Sequence, residues 1–586
     1  MSLSRREFIR IMGMAVAAGM LNNRALAQSP FAMYDIPVYG NARLLHFTDC
    51  HAQLLPVYYR EPNVNLGLGE WRGKAPHIVG ESLLRQFGIA PNSIEAHAFT
   101  YMNFTEAANR YGKVGGFAHL HTLVERLRSE RGPNKTLLMD GGDTWQGSGT
   151  AYWTRGRDMV DACNLLGVDV MTGHWEYTYQ DTEVLANIER FQGEFVAQNV
   201  RVKEDALFDG YPAFDEDTGH AFRPYTVKNL SGVRVAIVGQ AFPYTPIANP
   251  QRFIPNWTFG IQDDALQALV DEIRDSESPD LLVLLSHNGM DVDLKLASRV
   301  TGIDVIFGGH THDGMPQPSS VSNAAGQTLV TNAGSNGKFL GVMDVDVRGG
   351  KLQGYRYKLL PVFSNYVEPE ARMSAHIEGV RAPFLAILNE KLAIADELLY
   401  RRGNFNGTFD QIICDALINV LDAEIALSPG FRWGTTALPG QSITMEDLLN
   451  QTCMTYPETY VREMSGEQLK LILEDVADNL FNPDPYLQQG GDMVRVGGFN
   501  YEIDPTLEIG RRISNMRLDN GKLLDANRNY KVAGWATVGS VSPGRPVWDE
   551  VADYLRDKRI AKIARLNTPV IHKAEQNPGL EAYLHR

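Results

Sequence analysis

Asp49 and His51, both metal-ligating residue types, stand two positions apart directly after the apolar run Leu44-Leu45-His46-Phe47-Thr48. The pattern recurs downstream. Gly141-Gly142-Asp143 follows Leu137-Leu138-Met139, and His174 follows Val168-Asp169-Val170-Met171-Thr172-Gly173. His287 closes the apolar run 281–285, and Gly308-Gly309-His310-Thr311-His312 closes another. A lone histidine in such a place is more often a satisfied structural residue than a ligand. Ligand types at the ends of five separate strand-like runs are poorly explained by chance, so Asp49, His51, Asp143, His174, His287, His310 and His312 are the candidate metal cage. Imidazole with carboxylate and no thiolate suits Mn, Fe or Zn about equally. The spacing of Asp49 and His51 predicts two ligands on one side of an extended backbone, with Cys50 turned away into packing. The glycines before Asp143 predict a close approach of backbone to metal.

The elements that position these residues are legible as alternation. Apolar runs at 44–48, 137–139, 235–238, 281–285, 305–307 and 329–331 read as buried strands, with amphipathic stretches such as 115–130 and 264–275 between them. This is an α/β layered pattern, in which function collects on loops at strand ends. Residues 368–400 read as a helix-rich bridge interrupted by Pro369 and Pro383. A second unit follows, with helical patterns at 409–421 and 465–480 and strand-like segments at 498–503 and 530–535. The resulting division is a hydrolase domain over 36–365, a helical linker over 366–400, a substrate-binding domain over 401–565 and a tail over 566–586. The segment 56–110, rich in aromatic and charged residues, is too long for a plain connection inside a compact α/β unit. It is expected to form an ordered lid or docking surface.

Composition bounds the class. A chain of 586 residues exceeds one hydrophobic core, and 44% hydrophobic with 21% charged residues excludes disorder. Arg5-Arg6, an apolar run from Ile11 to Met20 and Ala25-Leu26-Ala27 predict a cleavable twin-arginine export signal over 1–27. Ten apolar residues cannot cross ~30 Å of hydrocarbon. The expected mature chain is periplasmic, free of the membrane and monomeric. Loss of four arginines and one glutamate takes the net charge from −15 to −18, which argues against nucleic acid as a partner. Cys50, Cys163, Cys414 and Cys453 form no CxxC pair. A Cys414–Cys453 bridge is chemically open in an oxidising compartment, but isolated buried thiols are the favoured reading.

Taken together, Asp49-Cys50-His51, Gly142-Asp143, His287 and Gly309-His310-Thr311-His312 resemble the calcineurin-like metallophosphoesterases, within them the 5′-nucleotidase group. Pro429-Gly430-Phe431-Arg432 is similar to that group's GGIR, and Ser465-Gly466-Glu467-Gln468-Leu469 to its TG-x-QL. The resemblance covers roughly 42–540. It implies a four-layered α/β sandwich of two sheets flanked by helices, plus a smaller α+β C-terminal domain of the 5′-nucleotidase type. It also implies two divalent cations, one held by Asp49, His51 and His312, the other by His174, His287 and His310, with Asp143 bridging and positioning the nucleophile. Two such cations ~3.5–4 Å apart lower the pKa of a shared water. One departure matters. The family's GNHE reads Gly173-His174-Trp175-Glu176 here, so His174 replaces the Asn ligand and Trp175 replaces the catalytic His. An indole cannot protonate a leaving group, which disfavours phosphomonoesters. That variant, the long insertion and the run Arg402-Gly403-Asn404-Phe405-Asn406-Gly407 resemble the family's thiosulfohydrolases. Their implied reaction is release of sulfate from a cysteine-bound S-sulfonate (S-thiosulfonate) on a SoxYZ carrier, with manganese as the metal. A persulfide leaves as a stabilised anion and needs little acid catalysis. Arg432, Trp175 and Asn404 are the candidate substrate contacts. Arg432 either grips the sulfonate or forms an interface salt bridge, and Trp175 either packs against the cage or walls a narrow slot. Phe499 and Tyr501 are candidates for nucleobase stacking by location only.

Overall fold

The computed structural model describes residues 33–574 and 577. The expected export signal over 1–27 and most of the tail beyond 574 lie outside the described residues. The chain divides into two compact units, Met1–Val38 and Tyr39–Arg586, and every named strand belongs to the second.

Six strands form a first sheet: β1 (Ala42–Phe47), β2 (Thr136–Asp140), β3 (Val170–Met171), β4 (Glu194–Phe195), β13 (Phe339–Arg348) and β14 (Lys351–Pro361), in the order β14-β13-β1-β2-β3-β4. Strands β5 (Arg201–Val202) and β8 (Trp257–Thr258) make a separate ribbon. The second sheet holds β6 (Tyr225–Leu230), β7 (Val233–Gln240), β9 (Leu281–Ser286), β10 (Val305–Gly308), β11 (Ser319–Asn323) and β12 (Gly326–Asn332), in the order β11-β12-β10-β9-β7-β6. Its centre is parallel, with Val235 opposite Leu281 and Val305 opposite Val283. Parallel strands covered on both faces are apolar throughout, and all six residues of β9 are buried.

Alternation along each strand decides the layers. Leu44, Leu137 and Val170 of the first sheet share one core with Val235, Ile237, Val283, Leu285 and Phe307 of the second, so the sheets pack face to face. The intervening residues Ala236, Val238, Leu282 and Leu284 face the other way, against Leu266, Val270 and Ile273 of helix Asp263–Ser276 and Leu294 and Leu296 of helix Met290–Arg299. Helix Phe117–Arg131 lies on β1 from the other side and contacts helix Arg157–Leu166. The result is helix, sheet, sheet, helix.

The bridge is less helical than its composition predicts. Helix Ala371–Arg381, a 3-10 turn at Ala382–Phe384 and a short helix Leu385–Leu388 give way to strand β15 (Lys391–Ala395), which pairs with β17 (Ser442–Thr444) and β23 (Ile560–Ala561). Beyond it, β16 (Ile425–Ser428), β18 (Thr459–Ser465), β19 (Arg495–Gly497) and β22 (Asn529–Trp535) form a mixed sheet. Ile425 and Leu427 face helix Gly466–Phe481, whereas Ala426 faces helix Thr408–Val420. A third small sheet joins β20 (Phe499–Ile503), β21 (Ile513–Leu518) and β24 (Val570–Ile571). This is the smaller α+β portion.

The insertion 56–110 is ordered, with helices Gly80–Phe87, Ile94–Phe99 and Phe104–Tyr111. Its first part is not an exposed docking surface. Residues 59–64 are buried, Val64 and Leu66 join the C-terminal core, and Leu66 N–H donates to Asn404 Oδ1 at 2.8 Å. Arg60 lies over the Tyr400 ring, and Thr436 N–H donates to Tyr58 O at 2.8 Å. Val64 and Leu66 gain by burial, and the charged residues between them and Tyr59 are partnered, Arg60 by the Tyr400 ring and Glu61 by Lys338. This first part of the insertion acts as an internal strap between the two-sheet sandwich and the C-terminal portion.

Candidate metal centre

All seven candidate ligands lie on loops at the C-terminal ends of strands or in the turns that follow, and the fold brings them together. Asp143, His174, His287 and His310 form one buried group, and Asp49, His51, Asp143 and His312 form another. In each group the ligand atoms lie within 4.8 Å of one another, and Asp143 belongs to both. Asp143 Oδ2 lies 3.1 Å from His287 Nε2, 3.3 Å from His174 Nδ1 and 3.8 Å from His51 Nε2. Asp49 Oδ1 lies 3.2 Å from His312 Nε2. The Nε2 atoms of His51 and His312 face each other at 3.0 Å. The buried Nε2 atoms of His174, His287 and His310 have no hydrogen-bond partner. Unpartnered imidazole nitrogens converging on two carboxylates are what a pair of divalent cations would satisfy.

The extended backbone expected at Asp49–His51 is not found. Asp49 has φ 53° and His51 φ 45°, and Asp143, His310 and His312 are likewise left-handed at 58°, 71° and 58°. Non-glycine residues rarely adopt this region, and it persists where surrounding structure over-determines it. Here Asp49 N–H donates to Gly142 O and His51 N–H to Asp143 O, both at 2.8 Å, locking the first ligand loop onto the second. Cys50 is buried between them, in keeping with a packing role. Gly309 has to be glycine, because a Cβ there would meet Thr48 Oγ1 at 2.6 Å and His287 Nδ1 at 2.9 Å.

His287 and the two carboxylates are oriented by further bonds. His287 Nδ1 meets Gly141 O at 2.6 Å, which turns Nε2 toward the cluster. Thr48 Oγ1 donates to Asp49 Oδ2 at 2.6 Å, and His310 N–H donates to Asp49 Oδ1 at 3.0 Å. Trp175 N–H donates to Asp143 Oδ1 at 2.7 Å. Glu176, which sequence reading passed over as a motif letter, is fully buried. It accepts from His174 N–H and Thr144 N–H at 2.8 Å, Asp143 N–H at 3.1 Å and Trp145 N–H at 3.2 Å. Its place as the last letter of the motif Gly173-His174-Trp175-Glu176 was the signal for it.

Burial sets the protonation. It pushes His51 down to about 4 and carries His310 and His312 well below the ordinary histidine range, so these rings present lone pairs. His287 goes the other way. Burial lowers it, but Asp143 and Asp49 outweigh burial and raise it to about 10. Burial raises Asp49 to about 6, whereas Asp143, despite burial, is held well below the usual carboxylate range by His174 and His287.

The cluster opens into a cavity of about 220 Å³, walled opposite the ligands by Trp175, Phe242, Phe431, Arg432, Trp433 and Tyr456. Trp175 does both things considered for it. Only 6% exposed, it packs edge-on against Phe431 and Trp433, with centroids 5.9 and 5.4 Å away, and it lines the cavity. Arg432 also lines it, with Nη2 donating to Gly491 O at 2.7 Å and Nε 3.8 Å from Asp492 Oδ1. Phe242, unforeseen from sequence, stacks on His310 at 4.0 Å.

Other expectations fare differently. Asn404 does not reach this cavity; it lines a neighbouring cleft, with its amide accepting from Leu66 N–H and donating to Asp492 Oδ1 at 3.3 Å. Phe499 and Tyr501 are 0% and 3% exposed in the C-terminal core, closed to any base. They alternate inward along β20, a position that sequence order alone cannot distinguish from a surface one. Ser465 and Gln468 form a helix-capping box rather than a ligand contact. All four cysteines are buried and free.

The 5′-nucleotidase C-terminal domain family matches residues 396–544. The chain is 26% identical over 472 residues to the trifunctional nucleotide phosphoesterase protein YfkN of Bacillus subtilis, spanning 74% of this chain but 31% of that one. It is 28% identical to the 5′-nucleotidase of Rattus norvegicus, over 71% of this chain and 74% of the rat enzyme. The solved structure of the Thermus thermophilus sulfate thiohydrolase SoxB superposes with a TM-score of 0.85 at 35% identity, over 92% of this chain and 98% of that chain. A 5′-nucleotidase precursor, also from Thermus thermophilus, shares the fold, with a TM-score of 0.70 at 21% identity over 91% of this chain and 99% of that chain.

Proposed function

Because this chain belongs to the family of the sulfate thiohydrolase SoxB, within the wider 5′-nucleotidase group, we propose that it releases sulfate hydrolytically from a cysteine-bound S-sulfonate on a SoxYZ-type carrier protein. The observation that carries this reading is the cavity wall itself. The residue after His174 is an indole, placed where the nucleotidase motif offers an imidazole, and it lines the space into which the ligand groups open.

The seven residues Asp49, His51, Asp143, His174, His287, His310 and His312 are the proposed holders of two divalent cations, for which manganese is the proposed identity. When bound, such a pair supplies a water of lowered pKa and offsets negative charge on the reacting oxyanion. Asp143, shared by both groups and steered by Trp175 N–H, would be the carboxylate common to both cations. Arg432 offers a guanidinium to the sulfonate oxygens from the opposite wall. Trp175, Phe431 and Trp433 pack on one another along the cavity wall, an apolar lining suited to a thin carrier arm. In the reaction, water oxygen bonds to the sulfonate sulfur and the S–S bond breaks. The carrier sulfur keeps the bonding electron pair, as a persulfide where the substrate is an S-thiosulfonate and as the cysteine thiolate where it is a plain S-sulfonate. The water protons pass to it and to solvent. A leaving group of that acidity needs no general acid, so the absence of an imidazole at residue 175 costs little.

Among the described residues no helix is long and apolar enough to cross a membrane. Periplasmic residence by twin-arginine export is the proposed location. Export of a folded chain would let manganese, the weakest binder of the divalent series, be enclosed before zinc or copper compete.

A 5′-nucleotidase activity is the second reading, favoured by the curated relatives. Against it, Phe431 and Trp433 stack on each other at 4.2 Å and 13°, which leaves no gap between them for a nucleobase. One comparison separates the two: sulfate release from carrier-bound S-sulfonate and phosphate release from AMP, by the same manganese-loaded protein. Sulfate release is expected to dominate. Strong AMP turnover with no sulfate release reverses the order.

A further inference from the structure

A line of alternating charge runs from the interior of the C-terminal portion to the cavity wall. Arg401 Nε donates to Asp410 Oδ1 at 2.7 Å, and Asp410 Oδ2 lies 3.3 Å from Arg495 Nε. Arg495 Nη2 lies 3.2 Å from Asp492 Oδ2, and Asp492 Oδ1 lies 3.8 Å from Arg432 Nε. Arg401, Asp410, Arg495 and Asp492 are all buried, and Asp492 is 3% exposed. Charges taken out of water persist only where they are paired, so each sign in the line depends on its neighbours. Three guanidiniums against two carboxylates leave one positive charge, and the neighbouring Arg402 and Asp313 add one charge of each sign. Arg432 and Asp492 are the end of the line that meets the cavity.

Asp492 is held firmly. Its N–H donates to Gly430 O at 2.8 Å and its Oδ1 accepts from Asn404 Nδ2 at 3.3 Å. It also lines the cavity beside Arg432, on the loop whose Gly490 lies against His310. An anion bound by Arg432 is therefore bound next to a fixed carboxylate. A phosphate monoester carries nearly two negative charges at neutral pH, its second pKa being about 6. A sulfonate carries one. Whatever charge the cations bring is common to both.

We infer that Asp492 determines specificity, its carboxylate holding the cavity wall at a single positive charge that suits a singly charged sulfonate and penalises a doubly charged phosphate. This rests on the sulfonate reading of the site. Like charges brought together in a dry site are strongly disfavoured, so removing the carboxylate relieves the dianion far more than the monoanion.

The test is calorimetric titration of the manganese-loaded full chain with inorganic phosphate and with methanesulfonate at pH 8. Asp492→Asn should shift the ratio of the two dissociation constants toward phosphate by roughly tenfold or more, and Asp492→Glu should keep the wild-type ratio. A ratio within about twofold of wild type in Asp492→Asn overturns the inference. Should that variant lose its fold by circular dichroism, Asp492→Ser takes its place; loss of fold in both would mark Asp492 as scaffold and also overturn it. No carrier turnover enters either titration. A shifted ratio without S-sulfonate hydrolysis would therefore sink the proposed reaction while leaving the charge selection standing.

Discussion

Trp175 divides its work between backbone and ring. The N–H fixes Asp143 at 2.7 Å, while the indole closes the cavity against Phe431 and Trp433. Trp175→His keeps the first contribution and restores an imidazole to the wall. It is expected to raise phosphate release from AMP, since a positioned general acid contributes about 10²–10⁴-fold. A rate no higher than wild type would refute the leaving-group argument. Glu176 acts one step back, collecting four backbone N–H groups of the ligand loops on one carboxylate. In Glu176→Gln one oxygen becomes an NH₂ that repels those donors. Metal affinity should fall by about 10–100-fold, read by titration of the metal-free protein, and unchanged affinity would reject the role. The ligands themselves were legible because Asp and His after an apolar run are chemically distinctive. Their left-handed backbone was not, because φ at Asp49, His51, Asp143, His310 and His312 is imposed by hydrogen bonds between loops far apart in sequence.

The insertion shows what a single element adds. Its sequence reads as long, aromatic and ordered, and its helices bear that out. Whether it faced water or protein depended on surfaces contributed by residues such as Phe405 and Thr436. Its attachment to the sandwich includes His77, whose Nε2 lies 2.9 Å from Asp291 Oδ2 at the start of helix Met290–Arg299. Burial lowers the His77 pKa, but Asp291 outweighs it and the net shift is upward. A group whose folded pKa is raised stabilises most below its unfolded value, near 6.5, and loses that contribution as pH climbs through the folded value. The melting-temperature gap between wild type and His77→Leu should therefore be largest near pH 6 and shrink toward pH 9. A gap that is constant or grows with pH would show that the pair contributes by packing alone.

Across the molecule, the candidate cage ties β1 and β2 of one sheet to β9 and β10 of the other, since Asp49, Asp143, His287 and His310 follow those strands. Cations bound only by the folded cage would hold the sandwich closed. Free metal at a hundred times its dissociation constant adds about 2.7 kcal/mol per site. Chelation should lower the melting temperature, and restored manganese should recover it in a concentration-dependent way. Identical melting curves with and without chelator would contradict a metal-tied sandwich. The layer order itself was readable in outline. Alternating apolar runs and amphipathic stretches specify buried parallel strands covered by helices, and that is what β7, β9 and β10 form with helices Asp263–Ser276 and Met290–Arg299. The strand β15 within the expected helical bridge was not readable, because its partners β17 and β23 lie about 50 and 170 residues downstream.

Residue chemistry at strand ends, apolar periodicity and the replacement of an imidazole by Trp175 are local properties, and the linear sequence determined them. It therefore carried the α/β class, the candidate ligand set and the departure from ordinary phosphoesterase chemistry. Convergence is not local. Only the tertiary structure decided that Asp143 is shared between two groups, that Phe499 and Tyr501 turn inward, that Asn404 serves the strap, and that Asp492 stands beside Arg432. Each depends on which distant segment packs alongside, and that choice is made by the burial of whole faces rather than by any one residue's type.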